Sequence, residues 1–275
     1  MSVRAIVERA GSEGRAALFG YLPVGFPDVG TSVAAMKAMV AGGVDVVEVG
    51  LPYSDPLMDG PLIQRATEAA LAGGVTPADA LTAVRELAAD GIPALVMTYW
   101  TVIDRYGVDA FAADLAAAGG AGMITPDLIP DEAAGWHAAA ERHGLDRVHL
   151  VAPTSTPERL ARAARSSRGF LYAASLMGVT GERALVGAGA KDLVARTKEV
   201  TDLPVCVGLG VGNGDQAAEV AAFADGVIVG SAFVRALMNA PDAASGVAAV
   251  AAVARDLAAG VRRRPVPGRP LSART

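Results

Sequence analysis

The sequence predicts a single-domain (β/α)8 barrel, and three observations carry that expectation. Short β-branched runs alternate with longer Ala-rich stretches of helical period, the pattern of a parallel sheet covered by helices. The alternation occurs eight times in roughly 250 residues, the count of a closed barrel. Glycines follow the helical stretches and Thr-Pro pairs open two of them, so the units are punctuated where the pattern changes. A doubly wound open sheet is the alternative that the same alternation allows.

In chain order, the first strand is expected at 16–22 and its helix at 29–41. The second strand, 44–49, precedes two helical stretches, 63–72 and 77–89, so the barrel carries extra helices. Strand and helix then pair as 94–99 with 108–118, 122–125 with 131–142, 147–152 with 157–164, and 169–174 with 188–200. The seventh unit is 203–208 with 215–222. The eighth strand, 225–229, runs into a helix at Val229-Gly230-Ser231, and a last helix lies near 243–259. Gly42-Gly43, Gly119-Gly120 and Gly144 stand where left-handed C-terminal caps belong. Thr76-Pro77 and Thr156-Pro157 place an N-cap and then a proline at the first helical position. Residues 1–262 form the barrel domain on this reading. The Arg- and Pro-rich stretch 263–275 lacks periodicity and is expected to be a flexible, solvated tail.

Composition narrows the function. The chain has 275 residues, with 24 basic and 29 acidic side chains for a net charge of −5, and 52% are hydrophobic. That supply of aliphatics excludes intrinsic disorder, and the acidic balance argues against a nucleic-acid partner. Cys206 is the single cysteine, so neither an intrachain disulfide nor a Cys-based zinc site can form; a reducing cytoplasm fits. The first 22 residues carry acidic groups before any apolar run and do not read as a secretory signal. No apolar run of membrane-spanning length lacks a charge or turn signal, so no membrane association is expected.

In a barrel the chemistry gathers at the C-terminal ends of the strands. The second strand places Glu48 between Val46, Val47 and Val49. A carboxyl in an apolar strand gains a proton easily, because burial disfavours its charge, and this suits a general acid/base near neutral pH. The bland alternative is a strand-end Glu paired with an Arg. The loop 51–60 that follows ends Asp59-Gly60-Pro61, which leaves Asp59 beside a helix N-terminus, where the dipole favours an ionised carboxylate. Taken alone, an Asp at this position is more often just an N-cap. Gly-rich turns close the last two strands, GLGVGNG at 208–214 and Val229-Gly230-Ser231. Backbone N–H groups there can cradle a phosphate without a Lys or Arg. The stretch 175–190 is rich in small residues and fits either a mobile lid or a passive insertion.

Other chemistries are disfavoured. The three lysines, Lys37, Lys191 and Lys198, fall in expected helices, away from a Schiff-base position. His137 and His143 lie six apart on one helix and His149 is in mid-strand, so no metal site is expected. Cys206 reads as a buried core thiol.

The run VEVGLPYSDPLMDGPLIQ at 47–64 closely resembles the signature of the tryptophan synthase alpha chain family. Gly-Val-Thr-Gly at 178–181, Val-Gly-Leu-Gly-Val at 207–211 and Val-Gly-Ser-Ala at 229–232 follow in the family's order. The resemblance implies a (β/α)8 barrel that cleaves indole-3-glycerol phosphate to indole and glyceraldehyde 3-phosphate. It implies that Glu48 is the acid/base and that Asp59 holds the indole N–H. It further implies that Gly181, Gly210, Gly230 and Ser231 hold the phosphate, that Tyr21, Tyr172 and Leu209 wall the pocket, and that Thr180 sits on a lid that reaches Asp59. The family has no cofactor in this chain; pyridoxal phosphate (PLP) belongs to a beta chain, with which it forms an alpha2beta2 heterotetramer that channels indole. Leu209 stands where several members have Phe, Leu176 where many have Arg, and Trp100-Thr101 where Asn is often found. The last two departures leave open a stand-alone indole-releasing lyase. A barrel that only activates its partner, or an isomerase sharing the phosphate site, explains the signature less well.

Overall fold

The computed structural model describes residues 2–174 and 183–263, the side chains of 183–188 excepted. The elements run α1 (Val3–Ser12), β1 (Ala17–Pro23), α2 (Val29–Ala41), β2 (Val46–Gly50), α3 (Pro61–Ala72), α4 (Pro77–Ala89) and β3 (Ala94–Met97). Next come α5 (Trp100–Tyr106), α6 (Val108–Ala117), β4 (Gly122–Ile124), a 3-10 turn (Pro130–Glu132), α7 (Ala134–Arg142), β5 (Asp146–Val148) and β6 (Leu150–Val151). The chain continues through α8 (Pro157–Ser166), β7 (Leu171–Ala174), α9 (Arg183–Lys198), β8 (Val205–Gly208), α10 (Gly214–Ala221), β9 (Gly226–Val229), α11 (Ser231–Met238) and α12 (Ala243–Val261).

All sheet pairings are parallel, in the order β5-β4-β3-β2-β1-β9-β8-β7-β6. The two ends of that order, β5 and β6, are halves of the fifth expected strand, parted at His149. The first half pairs with β4 and the second with β7, so the sheet closes on itself through this break. That closure excludes the open doubly wound alternative. At the seam His149 Nδ1 lies 3.3 Å from the Leu128 carbonyl and its Nε2 lies 2.8 Å from His137 Nε2, a pairing that spacing along the chain does not show. Burial holds both imidazoles below their ordinary pKa, His149 at about 4.

Strand alternation sorts the core into two layers. Inside the barrel, Ala17, Phe19, Val46, Leu95, Ile124, Val148, Phe170, Cys206 and Ile228 fill the lower half. Helix α1 plugs that end with Val3, Ile6, Val7 and Ala10, spaced for one helical face, and the buried Asp146 carboxylate accepts the Val3 N–H at 3.0 Å. Outward residues such as Leu18, Val47, Val49 and Val96 pack under the ring of helices.

The caps form as the sequence implies. Thr76 and Asp79 make a reciprocal capping box at α4, and Thr156 accepts from Arg159 N at α8. Helix α12 is long and apolar enough to cross a membrane by length and composition. Here it is a packing helix: Val250, Ala254, Leu257, Ala258 and Val261 are buried, and it also carries Arg255 and Asp256. It meets α10 so closely that a Cβ on Gly260 would strike the Gly214 carbonyl oxygen.

Several expectations need correction. Helices α1 and α5 were not expected. Helix α9 begins at Arg183 rather than 188, so its first turns occupy part of the stretch read as a lid. The rest of that stretch, 175–182, and the tail from 264 lie outside the described residues.

Candidate active site

The same alternation that fills the lower barrel with apolar groups leaves its upper layer facing a cavity of about 250 Å³. Tyr21 on β1 lies in register with Glu48 on β2, and Glu48 with Leu95 on β3. Glu48 is fully buried, and neither carboxyl oxygen has a hydrogen-bond partner among the described residues. The Arg partner of the bland reading is therefore missing from those residues. Burial alone pushes this carboxyl up to about 8, so it is mostly protonated at pH 7.

Asp59 lines the same cavity from the loop after β2. It precedes Gly60, the N-cap of α3, with Pro61 at the first helical position, so it is not itself the cap. Its pKa is raised by burial and eased down by the Tyr99 hydroxyl. The sequence predicts an ionised Asp59 beside a helix N-terminus; burial instead shifts this carboxyl toward its protonated form.

Tyr21 and Tyr172 both line the cavity, and burial keeps both phenols protonated. Each ring lies over a glycine: a Cβ on Gly50 would meet the Tyr21 hydroxyl at 2.5 Å, and one on Gly208 would come still closer to that of Tyr172. Leu209, 8% exposed, also lines the cavity. The cavity is also lined by Gly210, with φ +67, by Gly230, the N-cap residue of α11 beside the Tyr21 ring, and by Ser231. No Lys or Arg lines the cavity among the described residues, so an anion there would rest on backbone N–H groups and the α11 N-terminus. No metal-binding group of three or more His, Cys, Asp or Glu occurs among the described residues.

Eight of the ten expected site residues thus share one cavity; Thr180 and Gly181 lie outside the described residues. The sequence reading missed Tyr99, whose hydroxyl accepts from Met58 N at 3.0 Å and donates to Asp59 Oδ1 at 3.3 Å. Its position at the end of the third expected strand was the available signal.

Comparison with known proteins agrees with this geometry. The family model described as tryptophan synthase alpha chain matches residues 7–262. The chain is 60% identical to the tryptophan synthase alpha chain of Thermobifida fusca over 94% of its own length and 97% of that protein's. It is 62% identical to that of Mycobacterium marinum over 93% of each. Among solved structures, tryptophan synthase from Mycobacterium tuberculosis superposes with a TM-score of 0.88 at 58% identity, covering 94% of this chain and 98% of that one. The alpha subunit from Legionella pneumophila gives 0.86 at 33% identity, over 95% and 98%. An unbroken match from α1 to the end of α12, on a closed barrel with both carboxyls in one cavity, makes this chain a member of the tryptophan synthase alpha chain family.

Proposed function

We propose that this alpha subunit cleaves indole-3-glycerol phosphate with Glu48 as the acid/base and Asp59 as the holder of the indole N–H. The observation that carries the reading is the contrast between the two carboxyls. Glu48 is fully buried at the cavity, has no hydrogen-bond partner among the described residues and is protonated near neutral pH, whereas Asp59 is partly exposed and receives a hydrogen bond from Tyr99 that favours its charged form against burial. Environments that push two carboxyls apart assign them different roles.

Protonated Glu48 gives its proton to indole C3, and positive charge develops on the ring nitrogen. Asp59 stabilises that charge by accepting the N–H. The Glu48 carboxylate next takes the proton of the glycerol hydroxyl beside C3. The carbon–carbon bond breaks as that oxygen becomes an aldehyde, and its electron pair restores the indole ring. Indole and glyceraldehyde 3-phosphate leave, and Glu48 again holds a proton. Tyr21, Tyr172 and Leu209 wall the indole, while Gly210, Gly230 and Ser231, with Gly181, hold the phosphate. Thr180, which lies outside the described residues, is assigned with them as a substrate-binding residue. Binding energy from the remote phosphate orients the reacting end.

The alpha subunit works beside a beta chain, which carries PLP and condenses the indole with serine. We assign residues 1–262 to the barrel domain and place the complex in the cytoplasm. Indole release from indole-3-glycerol phosphate, by the chain alone and mixed with its beta chain, tests the reading. Slow release alone and a large rise on mixing are expected. Fast release unchanged by the partner would mean a stand-alone lyase, and no release in either condition would overturn the assigned substrate.

A further inference from the structure

The loop that carries Asp59 is held from outside its own strand. Tyr99 follows β3 and is the N-cap residue of α5, 5% exposed. Its hydroxyl makes two contacts on one short stretch, accepting from the Met58 N–H and donating to Asp59 Oδ1. Its ring packs on Tyr53 of the same loop, with centroids 5.3 Å apart. Tyr99 is itself seated by the next unit: the Trp100 N–H donates to both oxygens of Asp127, at 2.9 and 3.1 Å, in the loop after β4. A carboxylate on a long Pro-rich loop needs such support, because a misplacement of about 1 Å can cost about 100-fold in rate.

We propose that Tyr99 is a positioning residue for the cleavage, fixing Asp59 against the indole nitrogen, and that Asp127 seats Tyr99 so that the loops after β2, β3 and β4 act as one unit. This rests on the role given to Asp59 above. One hydroxyl suffices because it carries one proton for the carboxylate and lone pairs for the Met58 N–H. The bond to Asp59 also stabilises the ionised form, the form that must receive the N–H.

Tyr99→Phe tests this with the ring and its Tyr53 contact retained. kcat for indole release is expected to fall about 10- to 100-fold, with KM changed less than about threefold. The acid limb of the kcat–pH profile is expected to move toward neutral pH, since Asp59 loses the bond that favours its charge. Carbon-13 NMR of the Asp59 carboxyl in the substrate-free chain should show its titration midpoint moved up. That readout needs no turnover, so it judges Tyr99 even if the substrate assignment fails. Asp127→Ala should move the midpoint and kcat in the same direction by less, and the two substitutions together should cost less than the product of their separate effects. An unchanged midpoint in Tyr99→Phe would overturn the positioning role, and multiplicative losses in the double variant would overturn the coupling through Asp127.

Discussion

Replacing Glu48 by Gln should make the protein inactive and, at neutral pH, more stable relative to the wild type than it is in acid. The folded chain keeps the Glu48 proton up to about pH 8, whereas the unfolded chain releases it near 4.5. Between those values folding takes up a proton, so wild-type stability falls as pH rises through that window. The gap corresponds to about 5 kcal/mol above pH 8, of which about 3 kcal/mol is already lost at pH 7. The amide introduced by Glu48→Gln cannot ionise and is spared this loss. Burying an amide instead of a carboxylic acid adds an offset, but that offset does not depend on pH. Urea unfolding of both proteins at pH 4.5, 7 and 8.5 isolates the difference. The Glu48→Gln advantage should grow by about 3 kcal/mol from the first pH to the second and level off above the third. Parallel stability curves would refute the argument, because they would mean that Glu48 ionises in the fold as easily as in the unfolded chain.

Three further outcomes follow from the geometry. Asp59→Asn should lower kcat about 100-fold or more with the fold intact, and a rate near wild type would remove Asp59 from the mechanism. Gly210→Ala forces a Cβ onto a φ of +67, at about 1–2 kcal/mol, so KM for the phosphorylated substrate should rise about tenfold with kcat little changed. Gly260→Ala should destabilise the fold by about 1–3 kcal/mol in urea, because its Cβ would strike the Gly214 carbonyl. Gly11→Ala, in α1 with open space at its Cβ, is the control and should be neutral or slightly stabilising.

The parts of the fold that obey local rules were legible in the sequence. Thr76 and Thr156 start helices where Thr-Pro predicts them, and each of the eight expected strands forms. What escaped depends on contacts distant in sequence. Helix α5 is a short helix whose first N–H is capped by Asp127, 27 residues on, so the local sequence alone gives little sign of it. The break at His149 comes from one strand run serving two neighbours, β4 and β7. Helix α1 is legible in the spacing of Val3, Ile6, Val7 and Ala10, which share one helical face. At the site, Glu48 was visible because a carboxyl among valines is costly. Tyr99 was not, because an aromatic at a strand end reads first as core. The behaviour of Asp59 turned on burial by the whole cavity, which the Asp-Gly-Pro sequence does not encode.

On the proposed mechanism Glu48 moves the proton that breaks the carbon–carbon bond. Single-turnover cleavage of indole-3-glycerol phosphate by wild type and Glu48→Gln, each saturated with the beta chain, tests it most directly. A loss of at least about 100-fold is expected in the variant, with beta-chain binding and substrate affinity retained. Cleavage within about tenfold of wild type would contradict it and assign the proton to another group.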